Sequence, residues 1–406
     1  MTRKIIDTPL SRRLLLQGLC GAACLPMMGG MRLSFAAAPG DARFVFIILR
    51  GAMDGLAAAV PYGDRYYAQA RGGMALPAAA LTRLDDFYAL HKSFESFAAL
   101  YQAGEGAIVH AVATPYRERS HFDAQNVLEC GAERPNGARD GWLNRALGVM
   151  QPATDTPGLA VGQTIPLALQ GGVAVGSWSP SGDGLPADAL LIALEGMYSG
   201  DAAFETALSQ AVGLHDIADD GGMGMGKKRG GGGRGREAME TTLAAVGKIL
   251  SAPNGPRIAT IEIGGWDTHA QQGLEQGALA NNFAALDGAF GALKKSMGAL
   301  WGQTVVLAAT EFGRTVAGNG TGGTDHGTAS CAFIAGGGVK GGKVYGAWPG
   351  LDKTQLYQGR DLRPTTDLRQ VAKAVLTRHI GLGAGDVERH IFANSTNLRA
   401  MDALFV

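Results

Sequence analysis

Cysteine is scarce in this 406-residue sequence: of four, Cys20 and Cys24 fall within the first 38 residues, leaving only Cys130 and Cys331 beyond them. Two cysteines so far apart match no metal-binding spacing, which excludes a disulfide scaffold, a thiolate zinc knot and an iron–sulfur cluster. Buried free thiols are the expected state, with one disulfide in an oxidising compartment as the alternative. Charge of one sign is lacking too. The 36 basic residues balance 36 acidic ones, so no global field favours nucleic acid or an anionic membrane as a partner. Long apolar runs are also missing. The most apolar stretch, Leu14 to Met28, is interrupted by glycines and a proline and falls short of the ~18 unbroken residues of a spanning helix. With 46% hydrophobic and 18% charged residues, the chain is neither disordered nor too small to bury a large core.

What is present begins with a targeting pattern. Arg12 and Arg13 precede the apolar Leu14 to Met28 region, and Ala36-Ala37-Ala38 offers a small-residue exit. Residues 1–38 therefore read as a twin-arginine signal peptide, which passes an already folded protein to the twin-arginine export machinery. The mature chain, 39–406, is expected to be periplasmic or secreted, with no integral membrane span.

Apolar, β-branched runs bounded by glycine or turn residues recur at Phe44–Leu49, Ala107–Val112, Ile258–Ile263 and Thr304–Ala309, the pattern of buried parallel strands. Helical stretches lie between them at Phe94–Gln102, Ser120–Cys130, Leu279–Leu300 and Thr366–Ile380. The alternation predicts a single α/β domain, a doubly wound and mostly parallel sheet sandwiched by helices. One segment, about 185–237, departs from it. An alanine-rich helical insertion from Leu185 to Ile217 leads into Asp219–Glu237, whose glycines are expected to form a flexible loop. No aromatic residues interleave with Lys227, Lys228, Arg229, Arg234 and Arg236, so these read as a solvated linker and not as a nucleic-acid site.

In open parallel sheets the chemistry gathers beyond the carboxyl ends of the strands. There the sequence delivers Asp54 after the first strand, and Arg117, Arg119, Ser120 and His121 after the second. Asp267 and His269 follow the third, and Glu311 and Arg314, then Asp325 and His326, follow the fourth. Taken singly each has a bland reading: Asp54 as a turn acid, Ser120 with Asp123 as a capping box. Together, Asp54, Asp267, His269, Glu311, Asp325 and His326 crowd acids onto one sheet edge, where they repel unless cations neutralise them. Carboxylate and imidazole suit Zn²⁺, Mn²⁺ or Mg²⁺, and six ligands exceed the needs of one tetrahedral ion, so a two-metal site is open. Ser120, at a helix start, is the expected nucleophile, and Arg119 and Arg314 the expected oxyanion clamps.

The segments Leu49–Asp64, Arg119–Gln125, Gly141–Arg145, Gly264–His269, Thr310–Thr315 and Thr324–Thr328 together resemble the bacterial family catalogued as domain of unknown function 1501. That family is similar to the alkaline phosphatase, sulfatase and phosphoglycerate mutase superfamily, which implies an α/β sandwich with two metals and a nucleophile at a helix start. The resemblance maps Asp54 onto the acid after the first strand, Ser120 onto the nucleophile, and Asp325-His326 onto the ligands of one metal. Asp267 and His269 would serve the other. They lie two positions apart where the superfamily spaces this pair by four, and His379 and His390 are poor substitutes for a third histidine. His121 is left as a ligand or a base.

The reaction expected is hydrolysis of phosphate or sulfate esters of small molecules or glycans. A non-catalytic envelope protein that binds metal or anionic glycan is the alternative. A nicotinamide site is disfavoured, since no Gly-x-Gly-x-x-Gly follows the first strand and Asp54 would repel a pyrophosphate.

Overall fold

The computed structural model describes residues 41–406 apart from 152–153, 155, 181–187, 202–203, 206, 210–211 and 213–232. The signal segment and most of the glycine tract lie outside the described residues. In chain order the strands are β1 (Arg43–Leu49), β2 (Ala59–Val60), β3 (Leu81–Arg83), β4 (Ala89–His91), β5 (Gly106–Ala113), β6 (Gly158–Val161), β7 (Gly176–Trp178), β8 (Ile258–Ile263), β9 (Thr304–Thr310), β10 (Ser330–Gly336), β11 (Lys343–Tyr345) and β12 (Thr366–Asp367). The main sheet runs β11-β5-β10-β9-β1-β8-β6-β7, with β12 also on β5, and β2-β4-β3 form a small second sheet. From β9 to β7 every pairing is parallel, whereas β10 is antiparallel to both β9 and β5. The expected doubly wound, mostly parallel sheet is borne out.

Helices cover both faces because the central strands are apolar on both. In β1, Phe44 and Phe46 meet Trp142 on one face, with ring centroids 6.0 and 5.6 Å away, and Phe392 packs on the same indole. Val45, Ile47 and Leu49 belong to the larger core on the other face. There Phe94 and Phe97 of the Glu95–Gln102 helix region meet Phe333 of β10, and the long helix Ala278–Met297 contributes Phe283 and Phe290. Each such aromatic contributes on the order of 1.5–3 kcal/mol through burial.

Register decides where the loops leave. Leu49 at the end of β1 lies opposite both Ile263 of β8 and Thr310 of β9. Ser330, the first residue of β10, lies opposite Val112 near the end of β5. The chain leaving β1, β5, β8 and β9, and the chain entering β10, therefore all meet at one edge of the sheet.

The glycine tract ends earlier than expected. Gly233–Glu237 open the helix Gly233–Ser251, held by Arg236, whose guanidinium bonds Glu240 at 2.8 Å and the buried Asp287 at 3.3 Å. Arg236 is thus a helix anchor and not part of a solvated linker. Within the insertion, the described residues include the helix Asp188–Tyr198. Cys130 and Cys331 are free and buried, which removes the disulfide alternative. Among the described residues, no helix is long and apolar enough to cross a membrane.

Candidate metal centre

At the shared edge the backbone is drawn into conformations that side chains rarely adopt. Gly51 (φ 117) and Ala52 (φ 64) turn the chain after β1 so that the Gly51 N–H bonds Glu311 Oε1 at 2.8 Å. A Cβ on Gly51 would sit 2.7 Å from the Asp267 nitrogen, so only glycine admits the approach of the β8 loop. Arg119 (φ 63) is similarly left-handed, and its carbonyl receives the Nδ1 proton of His326 at 3.0 Å. Such positions persist when surrounding contacts hold them, and they gather at functional sites.

Three imidazoles meet here, and each is locked by its Nδ1. His121 Nδ1 donates to Glu311 Oε1 at 2.7 Å, His269 Nδ1 to Asp325 Oδ1 at 3.2 Å, and His326 Nδ1 to the Arg119 carbonyl. A carbonyl only accepts, and an ionised carboxylate only accepts. Both carboxyls are held ionised. Burial pushes the Glu311 carboxyl up, but its hydrogen bonds, led by His121, outweigh this and lower it. The Asn319 hydrogen bond lowers Asp325. The neutral rings thus carry their protons on Nδ1 and present bare Nε2 lone pairs.

Those lone pairs converge. His121 Nε2 and His269 Nε2 each lie 3.0 Å from His326 Nε2. Asp267 Oδ1 lies 3.0 Å from His269 Nε2 and 3.2 Å from His326 Nε2, and its Oδ2 is 3.6 Å from His121 Nε2. Ligand atoms of His121, Asp267 and His326 all fall within 4.8 Å of one another. Two donors bound to one tetrahedral zinc lie roughly 3.4 Å apart, so the spacing fits a metal with little adjustment. Protons alone serve poorly. The hydrogen bond to Glu311 raises the pKa of His121, but burial and the nearby His121 charge lower that of His326, so a second proton is resisted.

A second layer fixes this arrangement. Buried Arg314 bonds Asp267 Oδ1 at 2.5 Å through Nη1, Thr324 Oγ1 at 3.1 Å through Nε and the Thr324 carbonyl through Nη2. Burial pushes Asp267 up, yet Arg314 outweighs it and holds the carboxyl below its ordinary range. Asn319 bonds both the His269 carbonyl at 2.8 Å and Asp325 Oδ1 at 3.0 Å, closing the β8 and β9 loops on each other.

The sequence-derived residues therefore divide. Asp267, His269, His326 and His121 meet at the centre. Glu311 and Asp325 stand behind imidazoles, Glu311 Oε1 and Asp325 Oδ1 each accepting an Nδ1 proton, and Glu311 Oε2 accepts from Thr310 Oγ1 at 2.8 Å. Asp54 does not join them. Its Oδ2 pairs with Arg71 at 2.7 Å and Gln272 at 2.8 Å, its Oδ1 accepts from the Leu56 and Ala57 N–H groups, and the side chain is 1% exposed. Arg314 is committed to Asp267 and Thr324, and Arg119 to Asp361 at 2.7 Å and Gln358 at 2.7 Å, so neither guanidinium stands ready as an oxyanion clamp. Ser120 is the N-cap residue of His121–Cys130, but its side chain makes no capping bond; Asp123 instead accepts from Tyr116, whose hydroxyl also bonds Ser120. His379 bonds the Arg43 carbonyl at the opposite end of β1, and His390 lines a separate cleft of about 300 Å³. Sequence reasoning missed Arg71, Gln272, Asn319 and Asp361. Only Gln272 and Asn319 carried a signal, through their proximity to the motifs.

Fold and site together define an α/β sandwich with a histidine-rich candidate metal site at its strand ends. The chain belongs to the family described as protein of unknown function DUF1501, whose model matches residues 41–392. No curated protein matches it by sequence. Solved structures with similarity include the C-terminal periplasmic domain of EcEptC from Escherichia coli in complex with Zn, at 10% identity and TM-score 0.41, covering 88% of each chain. Ps i-CgsB in complex with k-i-k-neocarrahexaose follows at 8% identity and TM-score 0.47, covering 89% of this chain and 75% of that one. The lipoteichoic acid synthase LtaP from Listeria monocytogenes gives 10% and 0.30, over 69% and 58%. None of these is similar enough to assign a reaction.

Proposed function

We propose that this protein is an exported, metal-dependent enzyme that hydrolyses or transfers phosphate or sulfate ester groups, with Ser120 as nucleophile. The observation that carries the proposal is the convergence of three imidazole lone pairs and the Asp267 carboxylate beside a helix-initial serine. His121, His269, His326 and Asp267 would hold the ion. When bound, it would supply positive charge against a developing oxyanion and lower the pKa of a nearby hydroxyl.

The chain's own groups do the rest. The Ser120 oxygen forms a bond to phosphorus or sulfur, the bond to the leaving-group oxygen breaks, and that oxygen takes up a proton. Water, or an acceptor hydroxyl in a transferase, then displaces Ser120. The free N–H groups at the start of the His121–Cys130 helix favour the incoming anion. Burial raises the pKa of Tyr116, so it stays a hydroxyl that can pass the Ser120 proton towards Asp123. The open side of the centre, where Asp267 and His269 are 44% and 45% exposed, suits a small-molecule or glycan ester.

The test is Ser120→Ala, assayed on phosphate and sulfate esters with metal content measured in parallel. Turnover should fall by about 10³-fold or more with metal retained. Turnover that survives would remove the nucleophile assignment. One observation favours a non-catalytic metal- or glycan-binding protein: His121, Asp267 and His326 already supply three protein donors, with His269 Nε2 3.0 Å from His326, enough to enclose an ion as structural zinc sites do. That reading expects no turnover in either form and unchanged glycan binding in the variant.

A further inference from the structure

We infer that the centre takes one transition-metal ion of the Zn²⁺ class and no second cation, because the other carboxylates at this edge are already engaged by the protein's own guanidinium, imidazole, amide and hydroxyl groups. The inference rests on reading the cluster as a metal centre and adds the number and kind of ion.

Asp54 is buried against Arg71, with Gln272 and two backbone N–H groups taking its remaining lone pairs. Asp361, fully buried, accepts from Arg119, from Arg360 at 2.8 Å and from Thr328 at 2.7 Å. Glu311 serves His121, Thr310 and the Gly51 N–H; Asp325 serves His269 and Asn319. Asp267 sets both oxygens within 3.6 Å of imidazole Nε2 atoms, its Oδ1 being shared with Arg314. Among the described residues, no other group of three histidine, cysteine or acidic side chains brings its ligand atoms together.

Charge and donor type point the same way. Arg314 is a buried cation bonded to Asp267, and Arg71 a buried cation bonded to Asp54, so a second divalent ion at either carboxylate would have to enter against a fixed guanidinium. Three imidazole nitrogens to one carboxylate favour Zn²⁺ and similar borderline ions over Mg²⁺ or Ca²⁺, which seek all-oxygen shells. Behind each imidazole stands a hydrogen-bonding partner, which is how metal-binding histidines are oriented.

The test uses the full mature chain, stripped by chelation and titrated calorimetrically with zinc chloride and, separately, magnesium chloride, with bound metal counted after desalting. The expected result is about one equivalent of zinc and no magnesium binding at millimolar concentration. His326→Ala should weaken zinc binding by about 100-fold or more, and Asp54→Asn should leave about one equivalent bound. Because Asp54→Asn leaves Arg71 buried and can fail to fold, the 54% exposed Asp325 provides a second variant, Asp325→Asn, expected to keep about one equivalent at roughly 10- to 100-fold lower affinity. About two equivalents in the parent protein would overturn the one-ion inference and leave metal dependence standing. Magnesium binding would overturn the metal class, and no zinc binding at all would overturn both the inference and the reading beneath it.

Discussion

Asp54 and Asp267 follow neighbouring strands, β1 and β8, and leave the sheet at the same edge, yet they meet opposite surroundings. Asp54 is 1% exposed and faces donors only: a guanidinium, an amide and two N–H groups. The Asp267 side chain is 44% exposed and faces one guanidinium together with three imidazoles whose near nitrogens offer lone pairs. The first is a finished electrostatic unit. The second brings lone pairs together with one guanidinium, an arrangement that could hold a metal ion. An acid at a strand end is therefore a candidate metal ligand or a structural anchor according to what its neighbours offer. Gln272 links the two, bonding Asp54 at 2.8 Å and receiving the hydroxyls of Thr268 and Thr324 at 2.8 Å each.

The comparison can be broken first at Asp54. Removing Asp54 or Arg71 by alanine strands a buried charge and should cost about 3–5 kcal/mol in chemical denaturation, whether or not metal is present. A loss of metal without that destabilisation would place Asp54 in the centre. A third environment, His110 in β5, sharpens the contrast. It is fully buried with no acid beside it, donates from Nε2 to the Ala59 carbonyl at 2.8 Å, and burial lowers its pKa to about 4. The unfolded chain binds this proton more readily, so stability is complete above about pH 6.5 and declines between there and pH 4, by about 3 kcal/mol at most. His110→Gln should flatten that part of the pH–stability profile.

Zinc supplied at about 100 times its dissociation constant should stabilise the fold by about 2.7 kcal/mol, read as a shift in unfolding midpoint that chelation reverses. His121, raised mainly by its hydrogen bond to Glu311, must lose a proton to bind metal. Zinc affinity should therefore be complete above its raised pKa and fall about tenfold per pH unit below it, measured by competitive titration. The smallest effect is expected at Glu311→Gln, which keeps an acceptor for His121 but removes the charge. Affinity should drop by about 10-fold, and no change would show that the second layer only packs.

Much of this was legible in the sequence. The four strands read as apolar, β-branched runs are β1, β5, β8 and β9, and their ends carry the centre. β10 escaped because serine, cysteine, alanine and glycine dilute its two large residues, Phe333 and Ile334, and the strands of the small sheet are only two or three residues long. All three histidines were visible, but their orientation was not. Asp325 and His326 are adjacent in sequence, yet one backs His269 while the other enters the cluster, a difference set by side-chain direction. Arg71 lay in no motif, so the neutralisation of Asp54 could not be foreseen. Arg236 was hidden by the glycines around it until Asp287 and Glu240 supplied its partners.

Anomalous diffraction at the zinc absorption edge from crystals of zinc-loaded protein locates the ion directly. One strong peak is expected among the Nε2 atoms of His121, His269 and His326 and the Asp267 carboxylate, with none beside Asp54. No peak at the imidazoles, or a peak coordinated by Asp54, would contradict that expectation.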